Sequence, residues 1–430
     1  MFSAKEPDGH LDTYREVLAQ TPTVPISTHS PKNHFQLRAA LLLFSVLFLI
    51  VCDTQLIPPI LPFIAEDMSI SIGRAGTMVS FYALAAAVFG LILGTASDRF
   101  GRKRLLCLTL ALFSAASLLT YLVPHFSILL WTRALTGLCA GTLSTLVLAY
   151  AADLYPYKHR GKAMGIISIA YFLAFVVGIP IGAIVAGSLG WRWLFLGLAT
   201  VSALLLLPVK FLLPTDMILT ANASPIDIFT HFRVKERLAG ISVAFLTSGG
   251  LAGFLTFVVA WLHDIKGAGI EQIGLLFMVV GLVAAVASPV SGWLSDLIGK
   301  RPVIICANLI LAPTFIVVAG LDWGSTLFVG LGLLSVTASA RQGPLHALTS
   351  QLVSAEIRGS YIATRNAASQ LGIASITALC AFTFDSVGFK AVAWIIALVT
   401  ILIPIICILL RETETLMEVH KKLSFTACLL

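Results

Sequence analysis

Long apolar stretches separated by short polar segments run along almost the whole chain. A helix of about 20 apolar residues crosses the hydrocarbon core of a bilayer, and on that rule the sequence predicts twelve transmembrane helices, which we call spans 1 to 12. They cover 37–63, 74–97, 105–123, 127–151, 163–188, 193–213, 238–262, 272–294, 303–320, 325–348, 361–384 and 388–410. The predicted fold is an all-α membrane protein with two six-helix bundles, 37–213 and 238–410. A flexible tail (1–36), a linker (214–237) and a second tail (411–430) complete the predicted organisation.

The composition supports a polytopic membrane protein. Of the 430 residues, 58% are hydrophobic and only 11% are charged, whereas a soluble domain carries about 25% charged residues. The net charge of +7 comes from cations in short loops, which does not favour a nucleic-acid partner. The nine histidines show no metal-ligand spacing, and no G-x4-G-K-[S/T] loop occurs. We therefore expect no enzyme activity, no cofactor and no metal.

The distribution of cations predicts the orientation. Most of the 28 Lys and Arg residues fall in the tails and in alternate loops on one side of the membrane. Because Lys and Arg concentrate in cytoplasmic loops, both termini are expected in the cytoplasm. The linker is then cytoplasmic too, and the protein is expected in a plasma membrane or a bacterial inner membrane.

The two halves of the chain repeat each other. GTASDRFGRK at 94–103 recurs as GWLSDLIGKR at 292–301, and Arg160-Gly161 recurs at the same offset as Arg358-Gly359. Duplicated six-helix halves are what a rocking transporter needs, since it holds its substrate at their interface. The repeat therefore indicates two pseudo-symmetric bundles and favours a transporter over a channel or a receptor.

The segment that joins spans 2 and 3, with the last turn of span 2, resembles the signature of the major facilitator superfamily, G-x-x-x-D-R-x-G-R-K. Its six fixed positions are Gly94, Asp98, Arg99, Gly101, Arg102 and Lys103. Span 4 carries a similar arginine motif, Arg133-x3-Gly137-x3-Gly141, and prolines follow Asp53 in span 1. Span 5 carries Gly178-Ile-Pro180-Ile-Gly182, which looks like the Gly-Pro element of the proton antiporters.

This resemblance, to the twelve-helix drug:proton antiporters in particular, implies a role in conformational gating for two sets of residues. One set is the signature itself with its repeat counterparts Asp296 and Gly299; the other is Gly178, Pro180 and Gly182. Asp98 is expected to latch the cytoplasmic side, and Asp296 to do so more weakly, because Leu297 replaces the arginine that follows Asp98.

Ionisable residues inside spans are functional candidates, because a charge in hydrocarbon is costly. Asp53 is the only carboxylate deep within a predicted span. Spans 1 and 4 line the central cavity in the superfamily, and an arginine side chain is long enough to cover the difference in depth between Asp53 and Arg133. We therefore expect a proton-coupling pair. A static ion pair that only joins the two helices is the alternative.

Further candidates for a substrate cavity lie mostly in the second half: Gln55, Arg341, Gln342, Tyr361, Arg365 and Ser369. Gly343-Pro344 should break span 10 just after Arg341. The alternative for both arginines is that they extend to the cytoplasmic surface. If the arginines face the cavity, it is cationic, which favours an anionic or zwitterionic substrate.

The function predicted from the sequence is proton-coupled export of a small organic compound, either anionic or amphipathic. The protein is expected to be a monomer whose substrate site opens alternately to the two sides of the membrane. The expected partners are lipid, protons and that compound. The alternatives are uptake or facilitated transport of a metabolite such as a sugar or carboxylate, and a non-transporting membrane sensor.

Overall fold

The computed structural model of the chain describes residues 33–155, 157–214, 230–353 and 357–410. The side chains of 33–36, 94–99, 157–162, 172, 230, 270, 350 and 358 lie outside the description as well. Nearly every described residue is helical, which confirms the predicted all-α fold. The division into domains at 214–237 stays a prediction, because residues 215–229 are not described.

The helices follow the predicted spans closely. In the described residues, eleven helices are long and apolar enough to cross a membrane, and span 10 consists of two shorter helices. The helices of spans 1 to 6 are Asn33–Gln55 with Ile57–Asp67, Ile72–Phe100, Arg102–Leu122, Phe126–Leu154, Tyr157–Leu173 with Ile179–Ser188, and Arg192–Leu212. Those of spans 7 to 12 are Lys235–Asp264, Ile270–Ile298, Lys300–Gly320, Ser325–Ala340 with Gln342–Ser350, Arg358–Ser386, and Phe389–Cys407. A short helix, Thr230–Arg233, precedes span 7.

Three spans are interrupted close to a proline, which cannot donate a backbone hydrogen bond. Span 1 breaks at Leu56, and Pro58 lies in the first turn of its second helix, where proline is tolerated. Span 5 contains a π-helical turn, Ala174–Gly178, directly before Pro180. Span 10 breaks at Arg341, two residues before Gly343-Pro344, which confirms the predicted break.

The turn between spans 2 and 3 is much shorter than predicted. The predicted spans leave residues 98–104 as a polar loop, but the helix of span 2 continues to Phe100 and that of span 3 begins at Arg102. Gly101 alone reverses the chain, at φ 85°, and its repeat counterpart Gly299 does so at φ 98°. Both angles lie in the region that a residue with a Cβ atom rarely adopts, so the repeated glycine is required by the backbone.

The helices pack in the same pairs in both repeats. Span 2 contacts span 4, span 3 contacts span 6, and span 1 contacts span 5; the equivalent pairs 8 with 10, 9 with 12, and 7 with 11 occur in the second repeat. Between the repeats, span 2 packs on span 11 and span 5 on span 8. These two contacts are equivalent to each other, so the molecule has the predicted pseudo-symmetry.

We call the side of the membrane that carries the turns at Gly101 and Gly299 the inner face, and the opposite side the outer face. The repeats are packed together in the outer half. There, a Cβ atom on Gly73 of span 2 would lie 2.2 Å from the carbonyl oxygen of Ala381 in span 11. A Cβ atom on Gly274 of span 8 would lie in ordinary van der Waals contact with span 5, 3.4 Å from Ala183 and 3.5 Å from Pro180. The route between the repeats is therefore closed on the outer side.

Candidate functional site

Asp53 and Arg133 form a buried ion pair within the first repeat. The Nη1 atom of Arg133 donates to Oδ1 of Asp53 at 2.7 Å, and the two side chains are 1% and 0% exposed. Asp53 lies in the last turn of the first helix of span 1, just before the break at Leu56. Arg133 lies two turns into span 4. The sequence predicted this pair, and the structure brings the two side chains together.

Aromatic rings enclose the guanidinium group of Arg133. Its Cζ atom lies 4.6 Å from the ring centroid of Tyr82 in span 2 and 5.5 Å from that of Phe195 in span 6. Both distances allow a cation–π attraction. The Thr54 hydroxyl, next to Asp53, donates to the Tyr82 hydroxyl at 3.2 Å. Span 2 therefore contacts the ion pair through Tyr82, a contact that sequence spacing did not reveal.

The ion pair is incompletely satisfied. Oδ2 of Asp53 and Nε of Arg133 have no hydrogen-bond partner among the described residues. A buried carboxylate normally accepts several hydrogen bonds, and an unpaired polar atom in the interior is costly. Oδ2 is thus an atom at which Asp53 can take up a proton without giving up another hydrogen bond.

Arg341 and Arg365 are held inside the second repeat. Arg341, 1% exposed, donates to Oδ1 of Asn308 at 2.7 Å and to the carbonyl of Thr247 at 3.4 Å. Arg365 donates to the Thr349 hydroxyl at 2.8 Å and to Nδ1 of His346. Both arginines are buried, so the alternative in which they extend to the cytoplasmic surface is wrong.

Two of the predicted substrate-cavity residues on span 11, Tyr361 and Ser369, contact span 7. The Tyr361 hydroxyl donates to the carbonyl of Arg237 at 3.2 Å, and the Ser369 hydroxyl lies 3.5 Å from the carbonyl of Ala244. A Cβ atom on Gly372 would lie 2.1 Å from the carbonyl oxygen of Phe245. This face of span 11 therefore holds the second repeat together.

A cavity of about 170 Å³ lies between the repeats in the inner half of the membrane. Spans 2, 4 and 5 form one wall and span 11 forms the other. Its lining residues are Ala86, Ala87, Gly90, Leu91, Gly141, Ser144, Thr145, Leu148, Tyr171, Ala363, Asn366, Ala367, Ser369 and Gln370. None of these carries a charge.

Of the substrate-cavity candidates named from sequence, Ser369 lines this cavity. Arg341, Tyr361 and Arg365 do not, and neither do Gln55 and Gln342, which are half-buried elsewhere. The expectation of a cationic cavity is therefore wrong for this space, because the arginines are bonded within their own repeats. The sequence analysis did not identify Asn366 and Gln370 as cavity residues. Two amides one helical turn apart inside an apolar span could have indicated a polar face.

Two cations of the signature segment, Arg102 and Lys103, are bonded within the first repeat. Arg102 pairs with Asp153 and donates to the carbonyl of Ala149 at 2.6 Å, and Lys103 donates to the carbonyl of Leu213 at 2.6 Å. The repeat counterpart of Lys103, Arg301, donates to the carbonyl of Ile408. Helix C-termini carry partial negative charge, so Lys103 and Arg301 each stabilise the end of the last helix of their repeat.

The proposed latch residues are only partly described. The surroundings of Gly94 and the side chains of Asp98 and Arg99 lie outside the description, so the latch at Asp98 stays a prediction. Its counterpart Asp296 is exposed and lies 3.7 Å from Lys300, four residues further on.

Gly178 and Gly182 of span 5 face span 1. A Cβ atom on Gly182 would lie 2.7 Å from Leu56, and one on Gly178 would lie 3.4 Å from Cys52. Cys52 and Leu56 flank Asp53, so span 5 packs directly behind the ion pair.

Comparison with known proteins identifies the family. The family model described as Major Facilitator Superfamily matches residues 43–269 and 240–425. The chain belongs to the Major Facilitator Superfamily. It is therefore an integral, multi-pass membrane transporter.

Relatives within the superfamily include transporters of several kinds. The chain is 28% identical over 372 residues to YceJ of Bacillus subtilis, named an uncharacterized MFS-type transporter, covering 83% of this chain and 94% of that protein. It is 27% identical over 304 residues to a chloramphenicol efflux pump of Mycobacterium tuberculosis, covering 69% and 72%.

Solved structures share the superfamily fold. A D-xylose–proton symporter matches with a TM-score of 0.74 at 17% identity, over 86% of this chain and 97% of that one. A bacterial homologue of the lysosomal transporter Spinster, described as inward-facing and unoccupied, matches with a TM-score of 0.69 at 16% identity, over 88% and 96%. At these identities the likeness shows the fold alone.

Proposed function

We propose that this transporter exports a small organic compound in exchange for protons, and that Asp53 carries the proton. The observation that carries the proposal is the complete burial of Asp53 beside Arg133, with one carboxylate oxygen unpaired. It is the one buried acidic side chain in the described part of the chain. A carrier that moves protons needs a group that changes charge inside the membrane.

Protonation of Asp53 would remove one charge of the pair and weaken its hold on Arg133. The guanidinium group would then be free to move within the space between Tyr82 and Phe195. Tyr82 belongs to span 2, which also packs on span 11 of the other repeat. Span 2 thus offers a physical link between the charge of Asp53 and the contact that holds the outer side closed.

Export rather than uptake is supported by the relatives. One is named a chloramphenicol efflux pump, and a shorter match of 34% identity over 147 residues is to Multidrug resistance protein 2 of Bacillus subtilis. The alternative of uptake or facilitated transport is separated from export by the direction of the proton gradient that drives accumulation.

Transport in proteoliposomes tests both points, with radiolabelled chloramphenicol as the probe. An antiporter accumulates the probe in vesicles that are acidic inside, and a symporter does so in vesicles that are acidic outside. We expect accumulation in acidic vesicles. Asp53→Asn should abolish that accumulation but retain exchange of labelled for unlabelled probe, which needs no net proton movement.

Asp322→Asn is the matched control, because Asp322 is an exposed acid at the outer face and its loss should leave accumulation unchanged. Full proton-driven accumulation by Asp53→Asn would remove Asp53 from the mechanism. Accumulation only in vesicles acidic outside would replace export by uptake.

A further inference from the structure

The inner cavity has a distinctive chemistry: its polar groups are all uncharged. The hydroxyls of Ser144, Thr145 and Tyr171 lie on the wall formed by the first repeat, and the amides of Asn366 and Gln370 lie on span 11. A charged ligand that left water for this space would find no opposite charge, and an unpaired ion in a low-dielectric site is strongly disfavoured. An uncharged ligand has no such penalty.

Asn366 and Gln370, which we call the amide pair, are available to a ligand. They lie four residues apart, so both side chains are on one face of span 11. Within the described part of the chain neither makes a hydrogen bond, although both line the cavity. Each amide offers two N–H donors and one carbonyl acceptor, so the pair can bind hydroxyl, amide or carbonyl groups.

The opposite wall complements the amide pair. The hydroxyls of Ser144 and Thr145 both donate to the carbonyl of Gly141, each at 3.0 Å. Their oxygens therefore remain available as acceptors on span 4. Tyr171 adds a hydroxyl with no partner among the described residues. A ligand with polar groups at two ends would bridge the two repeats.

Between these polar groups the walls are small and apolar. Ala86, Ala87 and Gly90 of span 2 face Ala363 and Ala367 of span 11 across the cavity. Small residues leave a smooth surface that suits a flat ring or a short hydrocarbon segment. The cavity is smaller than the roughly 300–1,000 Å³ of most ligand pockets, and movement of span 11 away from spans 2 and 4 would enlarge it.

From these observations we infer that the amide pair determines specificity for an uncharged organic substrate that carries both hydrogen-bonding groups and an apolar segment. The inference rests on the proposed function in that it takes the cavity as the transport site. It differs from the sequence expectation of an anionic substrate, because the arginines behind that expectation do not line the cavity.

Direct binding tests the inference separately from proton coupling. The full chain in lipid nanodiscs would be titrated by calorimetry with two uncharged probes, chloramphenicol and linezolid. The charged probes would be tetraphenylphosphonium as the cation and carboxyfluorescein as the anion. We expect at least one uncharged probe to bind more tightly than either ion.

Substitutions in the amide pair should then change the preference. Asn366→Leu and Gln370→Leu should each weaken binding of the uncharged probe about tenfold, which corresponds to about 1.4 kcal/mol. Asn366→Asp keeps the shape but adds a negative charge, so it should weaken the uncharged probe and strengthen tetraphenylphosphonium. Ser375→Ala is the control, since Ser375 lies on the same helix and its hydroxyl is bonded to its own backbone at Leu371.

The results separate the two proposals. Tighter binding of an ion than of both uncharged probes by the wild type, or unchanged binding in both leucine variants, would overturn the inference. Binding as expected without any proton-driven accumulation in proteoliposomes would overturn the proposed function and leave the amide pair as the ligand site.

Discussion

Asp385, at the outer end of span 11, accepts a hydrogen bond from the backbone N–H of Gly73 at 2.8 Å. Gly73 lies in the first turn of span 2, whose unpaired N–H groups give the helix start a partial positive charge. The Ser71 hydroxyl donates to the same carboxylate. An acid of the second repeat thus caps a helix of the first repeat at the closed outer side.

We predict that Gly73→Ala prevents this closure. The new Cβ atom would lie 2.2 Å from the carbonyl oxygen of Ala381, a backbone atom that cannot move without shifting span 11. Spin labels at Leu122 and Val387, which are exposed at the outer ends of spans 3 and 11, should show longer distances by double electron–electron resonance. Asp385→Asn, which keeps the shape but weakens the acceptor, should show a smaller change.

Gly197→Ala is the control, because a Cβ atom at Gly197 has no neighbour within 4 Å. If the label distances in Gly73→Ala match those of the wild type, the outer contact does not control closure.

The second prediction concerns the pH dependence of transport in Arg133→Gln. If Arg133 acts on Asp53 rather than only joining the two helices, removal of this cation should change the pH profile of transport. Lys390→Gln, which removes an exposed cation at the outer face, should leave the profile in place. An unmoved profile in a folded Arg133→Gln variant would support the static ion pair.

The third prediction concerns the close contact of spans 2 and 4 beside the ion pair. A Cβ atom on Gly137 would lie 2.1 Å from the carbonyl oxygen of Tyr82. Overpacking of this kind costs about 1–3 kcal/mol, so Gly137→Ala should lower the midpoint of thermal unfolding in detergent. Gly187→Ala, where nothing lies within 4 Å, should not lower it. Equal midpoints in the two variants would show that spans 2 and 4 move apart to accommodate the new methyl group without loss of stability.

The fourth prediction is the latch at the inner face. Asp98 lies in the last turn of span 2. The helix dipole disfavours an acid there by up to about 1 kcal/mol, so we expect Asp98 to need a positive partner from the other repeat. Asp98→Asn should lower the outward-open population and slow turnover. Asp296→Asn should do less, because Asp296 already lies near Lys300. Accessibility of cysteines introduced at the inner face measures the population, and equal effects of both substitutions would exclude the latch.

The sequence determined the helices, because a bilayer leaves the backbone of an apolar segment few alternatives to a helix. It also identified Asp53 and Arg133 as partners, since two opposite charges within side-chain reach of each other in hydrocarbon stabilise each other. The break near Pro344 was predicted from Gly343-Pro344, because proline lacks the backbone N–H. The breaks near Pro58 and Pro180 were not predicted, and a proline alone does not determine a break, since Pro313 and Pro404 lie inside unbroken helices. The helices, the ion pair and the break near Pro344 depend on local chemistry and on depth in the membrane. Both can be inferred from the residue types and their positions in the sequence.

Only the tertiary structure decided which side chains face the space between the repeats. Arg365 and Asn366 are neighbours in sequence, yet Arg365 is bonded inside the second repeat while Asn366 lines the cavity. Adjacent residues on a helix point about 100° apart, and the rotation of span 11 is set by its contact with span 7, where Gly372 meets the backbone of Phe245. Packing of that kind arises between segments that are distant in the chain. The sequence alone therefore gives the depth of a charged residue in the membrane, but not whether its side chain faces the cavity or a neighbouring helix.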